Sequence, residues 1–296
     1  MPSGQTAAAQ TESITVANEA TAPAPIAQAK GCELLAGLDA TFLMYRPGRG
    51  EWRACNPERA GQRFLPASTF KIANALIGLE TGAVADERQV TKWDGRTRAV
   101  PAWNQDTDLA GGMYNSTVWF YQAMARRIGA AKMREWVGKL GYGNGDIGPD
   151  ADIAHFWLDG DLRISAREEV AFVDRLRRRT LPLSLRSQDI VARILERDRG
   201  EGWVLRAKPG AVLPIDPDTG DLLQGPDAGA ILHGAEPVGW WIGWIGRVDT
   251  GVGGGHGDGD TVFAFNMTLR GNGDLPLRER LARQLLVANG ALPAGD

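Results

Sequence analysis

Strand-like stretches stand at both ends of this chain and helical ones between them, and that order constrains the fold more than any single motif. Thr41-Phe42-Leu43-Met44-Tyr45 and Glu51-Trp52-Arg53-Ala54-Cys55 flank the turn signal Arg46-Pro47-Gly48-Arg49-Gly50 and predict a hairpin. Strand patterns return only late, over residues 202–207, 238–248 and 261–268. Apolar spacing predicts helices over residues 66–80, 117–128, 131–140, 167–178 and 188–197, and an amphipathic helix over 277–289 closes the chain. Ser165, with Glu168 three residues on, is a capping-box signature for the fourth of these. The expected class is α+β: an antiparallel sheet built from N- and C-terminal strands with flanking helices, plus an inserted all-helical region over about residues 84–200.

Composition narrows the function. With 296 residues, 43% of them hydrophobic, the chain can bury a sizeable core. Thirty-three Lys and Arg against 36 Asp and Glu leave no basic surplus for a phosphate backbone or an anionic membrane, so nucleic acid is not an expected partner. No apolar run approaches the roughly 20 residues of a membrane-spanning helix. Residues 1–31 are rich in Ala, Thr, Pro, Gln and Ser without an aromatic residue, and read as a disordered leader or linker before a single catalytic domain, 32–296. Residues 1–29 lack the basic and then apolar pattern of a secretory signal.

Cys32 and Cys55 match no metal or redox spacing; they form either one disulfide or two buried thiols. His155, His233 and His256 are scattered, and neither HExxH nor GxSxG occurs, which disfavours a zinc protease and an α/β-hydrolase. No metal site is expected. The glycine-rich stretch 251–260 misses the GxGxxG spacing and reads as a hairpin loop.

What stands out is Ser68-Thr69-Phe70-Lys71 at a predicted helix start. A first-turn serine lies near free backbone N–H groups, and a lysine three residues later shares its helix face. Lys71 sits between Phe70 and Ile72, and a lysine that loses water there tends towards its neutral, basic form. Nucleophile and base are neighbours.

The residues around this pair resemble the class D (oxacillinase-type) serine β-lactamases in several motifs that follow in the family's order. Phe64-Leu65-Pro66-Ala67-Ser68-Thr69-Phe70-Lys71-Ile72 is similar to the nucleophile segment, and Lys92-Trp93-Asp94-Gly95 follows it. Ser116-Thr117-Val118 fits S-x-V, and Tyr142-Gly143-Asn144 fits Y-G-N. Phe156-Trp157-Leu158 with Leu162-Arg163-Ile164-Ser165 fits the tryptophan segment, Gly239-Trp240-Trp241-Ile242-Gly243-Trp244 a late strand, and Leu275-Pro276-Leu277-Arg278 the arginine site.

The resemblance implies the serine β-lactamase and penicillin-binding transpeptidase fold, and hydrolysis of the β-lactam amide of penicillins and related antibiotics through a Ser68 acyl-enzyme. Lys71 would be N-carboxylated by carbon dioxide or bicarbonate, with no other cofactor, and the N6-carboxylysine would act as general base. Val118 would supply apolar wall and the Trp157 indole N–H would hold the carbamate. Ser116 would relay a proton to the leaving nitrogen. Lys208 and Arg278 would hold the substrate carboxylate beside Gly210, and the N–H groups of Ser68 and Ala211 would form the oxyanion hole. Tyr142 and Asn144 would shape the site. The family implies a periplasmic or secreted bacterial protein, a monomer or homodimer without a membrane span.

Two departures stand against that pattern. The family has K-T-G or K-S-G where this chain has Lys208-Pro209-Gly210, so a hydroxyl and a backbone N–H are missing beside the oxyanion hole. Residues 211–238 hold Pro214, Pro217, Gly220, Gly225 and Pro226 in place of a short connection, either as a surface insert or as a flap over the pocket. The alternative function is a penicillin-recognising sensor or binding domain that acylates but deacylates slowly. A class A enzyme is disfavoured because S-D-N is absent.

Overall fold

The computed structural model describes residues 25–214, 216, 235–247 and 259–294. The N-terminal part supplies β1 (Ile26–Gln28), β2 (Ala40–Arg46) and β3 (Glu51–Cys55); the C-terminal part supplies β6 (Glu196–Gly200), β7 (Trp203–Ala211), β8 (Val238–Arg247) and β9 (Thr261–Thr268). They form one seven-stranded sheet in the order β1-β3-β2-β9-β8-β7-β6. The two ends of the chain meet where β2 runs antiparallel to β9, with Phe42 opposite Phe265. All pairings in this sheet are antiparallel except β1 with β3. A two-residue ribbon, β4 (Arg63–Phe64) with β5 (Ile164–Ser165), ties the segment before Ser68 to the helical region.

Both faces of the sheet are covered, and the period-two alternation of its strands assigns side chains to one face or the other. On one face Leu43, Val238, Trp240, Ile242, Trp244, Val262 and Ala264 join the core formed with the helical region. This region comprises α1 (Lys71–Glu80), α2 (Leu109–Tyr114), α3 (Val118–Ile128), α4 (Ala130–Leu140), α5 (Ala166–Arg177) and α6 (Leu185–Ile194). On the other, Phe42, Met44, Trp241, Ile245, Phe263 and Phe265 meet Leu281, Ala282, Leu285 and Leu286 of the closing helix α7 (Leu275–Ala288). Two-sided burial explains why β8 reads as an unbroken apolar run rather than an alternating one. The Ser165 capping box forms as expected, Glu168 N donating to Ser165 Oγ at 3.3 Å and Ser165 N to Glu168 Oε2 at 2.9 Å.

Four local expectations change. The helix expected to reach residue 197 stops at Ile194, because Glu196–Gly200 pairs with the edge of β7 and the sheet ladder outcompetes helical propensity there. The helix expected from residue 66 begins with a tighter 3₁₀ turn, Ala67–Phe70. Helix α2 was hidden by Gly111 and Gly112, and forms because Asp108 Oδ1 accepts the Gly111 N–H at 2.7 Å. The ordered fold starts within the stretch read as leader, since Ile26 to Gln28 pair with Trp52 to Ala54; residues 1–24 lie outside the described residues.

Cys32 and Cys55 form a disulfide with Cα atoms 5.5 Å apart, closing a loop with a sequence separation of 23. Chain-entropy arguments give a loop of that size roughly 3 kcal/mol. Cys32→Ser with Cys55→Ser is expected to lose about that much stability; equal denaturant midpoints for the variant and the oxidised protein would show that the bond constrains nothing.

Candidate active site

The Ser68 turn is a strained element wedged between helix and sheet. Ala67 adopts φ 47°, a left-handed conformation that ordinary L-residues avoid, and Ser68 follows it at the head of the 3₁₀ turn. The turn is closed by Thr69, whose N–H and Oγ1 both donate to the Pro66 carbonyl, at 3.1 and 2.8 Å. Against it lies β7: a Cβ added at Gly210 would stand 3.0 Å from Thr69 Cγ2 and 3.2 Å from the Pro66 oxygen. A side chain at position 210 would therefore push the strand off the Ser68 turn.

Lys71 is completely buried. Its Nζ lies 2.6 Å from Ser68 Oγ and 3.2 Å from Ser116 Oγ, and 5.5 Å from the centre of the Tyr121 ring. Loss of water lowers its pKa from 10.5 to about 7, which leaves the amine substantially neutral near neutral pH. The sequence argument for a basic, dry lysine is thus matched by the geometry.

Ser116 stands just before α3 with φ 55°, and its loop is braced on three sides. Trp103 Nε1 donates to Asn115 O at 3.0 Å; Arg197 donates to Tyr114 O at 2.9 Å and to Met113 O at 3.1 Å. Lys208 Nζ donates to Ser116 Oγ at 3.0 Å and to Pro209 O at 2.9 Å. Lys208 is also fully buried, and desolvation together with the charges of Lys71, Arg197 and Arg278 holds its pKa well below the usual lysine value. Ser68, Lys71, Ser116 and Lys208 form one continuous polar chain.

The alternation of β7 resolves the Pro209 departure. Val212 N donates to Val238 O on the β8 side, whereas Ala207 N donates to Leu195 O on the opposite side. By period two, positions 209 and 211 share the orientation of 207, away from β8. Proline at 209 therefore removes no bond to β8, and the Ala211 N–H likewise points away from β8.

The remaining expected residues fall around this centre. Trp157 is fully buried, stacked on Phe70 with ring centres 5.6 Å apart, and its Nε1 has no hydrogen-bond partner among the described residues. Val118 is buried in the core beside Ser116. Arg278 donates to Gly210 O, and burial lowers its pKa from 12.5 to about 10. Tyr142 donates to Glu169, and Asn144 holds the loop by donating to Asp161 O at 2.9 Å and accepting from Arg163 N at 2.9 Å. Gly143 between them needs φ 56° and has the Arg163 oxygen 2.1 Å from where a Cβ would stand. Arg197 was read as the end of a helix; its role as a brace depends on β6 and carried no sequence signal. Most of 211–238 and of the glycine-rich loop lies outside the described residues.

The lysine also affects stability. Between pH 7 and 10.5 the unfolded chain holds a proton that the native Lys71 has released, so this group makes stability rise with pH across that window. Lys71→Met is expected to be more stable than the parent at pH 7, by up to about 4 kcal/mol, and the gap to close towards pH 10. Denaturant unfolding of both chains across that range, in buffer freed of carbon dioxide so that the lysine is the free amine, checks it; a constant gap would mean that Lys71 keeps its ordinary pKa.

Comparison with known proteins agrees with this geometry. The family model for the penicillin binding protein transpeptidase domain matches residues 40–251. Beta-lactamase OXA-48 of Klebsiella pneumoniae is 38% identical over 238 residues, which is 80% of this chain and 78% of that protein. Beta-lactamase OXA-5 of Pseudomonas aeruginosa is 34% identical over 254 residues, 86% of this chain and 85% of the other. Among solved structures, the class D β-lactamase YbXI from Nostoc superposes with a TM-score of 0.75 at 35% identity, covering 88% of this chain and 96% of its own. The class D β-lactamase FUS-1 (OXA-85) from Fusobacterium nucleatum subsp. polymorphum gives a TM-score of 0.73 at 32% identity, over 86% and 94%. A buried lysine touching two serines, in a sheet and helix frame shared with these enzymes over most of its length, makes this chain a member of the class D serine β-lactamase family.

Proposed function

We propose that the chain hydrolyses the amide bond of β-lactams through an acyl-enzyme on Ser68, with Lys71 as the general base in its N-carboxylated form. The observation that carries this reading is the polar chain from Ser68 Oγ through Lys71 Nζ and Ser116 Oγ to Lys208 Nζ, with successive separations of 2.6, 3.2 and 3.0 Å. Such a chain can take a proton from the attacking serine at one end and return one at the other.

In the acylation step Ser68 Oγ gives its proton towards Lys71 and bonds to the lactam carbonyl carbon. The N–H groups of Ser68 and Ala211 receive the developing oxyanion, the latter from the open edge of β7. As the ring C–N bond breaks, the Ser116 hydroxyl passes its proton to the nitrogen and takes in exchange the proton that Lys71 received from Ser68, while Lys208 Nζ holds the Ser116 oxygen by a hydrogen bond. Arg278 and Lys208 hold the substrate carboxylate, the guanidinium through its planar fork. Val118 keeps water from the Lys71 side of the pocket.

The residues fit carbon dioxide as the modifying group. A neutral amine is required for its addition, and the buried Trp157 Nε1 offers an unused donor for the product. When bound, it supplies an anionic base able to activate the hydrolytic water. The Cys32–Cys55 bond supports a periplasmic or secreted location, since disulfides persist in oxidising compartments.

The test is turnover of a chromogenic cephalosporin with and without bicarbonate, followed by mass spectrometry of the protein. Sustained turnover that rises with bicarbonate is expected. A single stoichiometric burst with a stable adduct on Ser68 would favour the penicillin sensor reading. Lys71→Ala is expected to lose about 10²- to 10⁴-fold in turnover, and Trp157→Ala to depend on added bicarbonate; normal hydrolysis by Lys71→Ala would rule out the base assignment. Pro209→Thr restores a hydroxyl beside the substrate carboxylate and is expected to lower KM by about two- to tenfold. An unchanged KM would show that Arg278 and Lys208 already carry that contact.

A further inference from the structure

Behind the nucleophile turn lies a buried carboxyl group that the mechanism above does not use. Glu169, on α5, is completely inaccessible to solvent. Its Oε1 lies 2.6 Å from Thr69 Oγ1 and 3.1 Å from Tyr142 OH, while Oε2 has no hydrogen-bond partner among the described residues. No cation pairs with it among them. The nearby charged or titratable groups are Glu168 on its own helix, engaged with Arg63 and Ser165; Tyr142 after α4; Lys71 on α1, directed to the two serines; and Arg59, from the turn packed on α5 and paired with Asp39 and Glu236.

Counting protons around Thr69 accommodates a neutral carboxyl here. The Thr69 hydroxyl has one proton to donate, and three oxygens stand around it: Pro66 O at 2.8 Å, Glu169 Oε1 at 2.6 Å and Tyr142 OH at 3.4 Å. The Pro66 carbonyl can only accept. If Thr69 donates to it, the short contact to Glu169 needs a proton from Glu169 itself. The Tyr142 hydroxyl can then donate to Oε1, and Oε2 carries no charge that would demand a partner.

We propose that Glu169 is a positioning residue for the hydrolysis reaction: in its protonated form it donates to Thr69, keeps the Thr69 hydroxyl on the Pro66 carbonyl, and so seats the Ser68 turn against β7. The proposal rests on Ser68 being the nucleophile. Its mechanical link is the close approach of Thr69 Cγ2 and Pro66 O to Gly210, the residue before the oxyanion donor Ala211. Ionised, Glu169 draws the Thr69 hydroxyl to itself, because a bond to a charged acceptor is the stronger one, and the turn loses one of its two closing bonds. Burial raises the Glu169 pKa from 4.5 to about 7, against the bonds from Thr69 and Tyr142, which favour ionisation.

The test follows the rate of Ser68 acylation by a chromogenic cephalosporin from pH 5.5 to 9.5 in saturating bicarbonate, in the parent, Glu169→Gln and Glu169→Leu. Glutamine fixes the neutral, donating state. The parent is expected to lose about three- to tenfold in acylation rate on the alkaline side, Glu169→Gln to show no such fall, and Glu169→Leu to be slow throughout. The same alkaline fall in Glu169→Gln would overturn the proposal, as would Glu169→Leu acylating as fast as Glu169→Gln. If Glu169→Leu does not fold, the parent and the glutamine variant decide between them.

Melting temperature against pH provides a readout independent of activity. Between pH 4.5 and about 7 the native Glu169 keeps a proton that the unfolded chain has lost, so the parent's Tm is expected to fall relative to that of Glu169→Gln as pH rises. If no chain is acylated, the assignment of Ser68 fails, and the Tm comparison still reports on Glu169. A flat Tm difference overturns the protonated carboxyl, and the proposal with it, whatever the activity.

Discussion

The organisation of the site depends on one act of desolvation, the removal of the Lys71 amine from water. An isolated ammonium in an apolar interior is so costly that the group gives up its proton instead, and Lys71 is shut off from solvent with no carboxylate paired to it among the described residues. Lys208, equally buried and within reach of the field of Lys71, is pushed the same way. Two lysines that are cations in water are both driven towards the neutral amine, with Ser116 bonded to both. This requires walls on every side: α3 and Tyr121, the Phe70–Trp157 stack, and the sheet edge at β7.

The sheet supplies the rigid side of that enclosure. Because both of its faces are packed, β7 cannot tilt without disturbing either the helical core or α7. Its strand alternation then does three things at once. It points the Ala211 N–H away from β8, places proline 209 where no bond to β8 is lost, and turns the Lys208 side chain inward to Ser116. The glycine at 210 lets the nucleophile turn approach to van der Waals contact, so strand and turn are positioned by each other.

Two of the four non-glycine residues with positive φ among those described, the others being Asn56 and Arg179, stand at the candidate site. Ala67, before Ser68, and Ser116 adopt φ of 47° and 55°. Such conformations cost of order 1–3 kcal/mol each and persist only when their surroundings over-determine them. The braces are visible: Thr69 and Glu169 behind the first, Trp103 and Arg197 around the second. Glu169 and Arg197 reach their targets from distant parts of the chain, so the helical region and the sheet are needed together to hold two serines beside one lysine.

Much of this was legible in local pattern. Strand-like runs beside turn signals marked β2, β3 and β9, period 3.6 marked α1, α3, α4, α5 and α7, and the Ser68–Lys71 pair stood out by its helical spacing, while Ser116, Trp157 and Arg278 were singled out only by the family resemblance. A closer reading could have found Glu169 as well, since it shares the apolar face of α5 with Phe172, Val173 and Leu176. Other features were not local. Arg197 looked helical until the open edge of β7 recruited it into a strand, and glycines concealed α2 until its cap was seen. By itself the sequence determined which reactive side chains stand at which spacing and which segments can be strand or helix, since side-chain type and periodicity are properties of the chain alone. Only the tertiary structure decided that Cys32 meets Cys55, that Pro209 faces an edge, and that Lys71 is dry, because each depends on what distant segments bring into contact or shield from water.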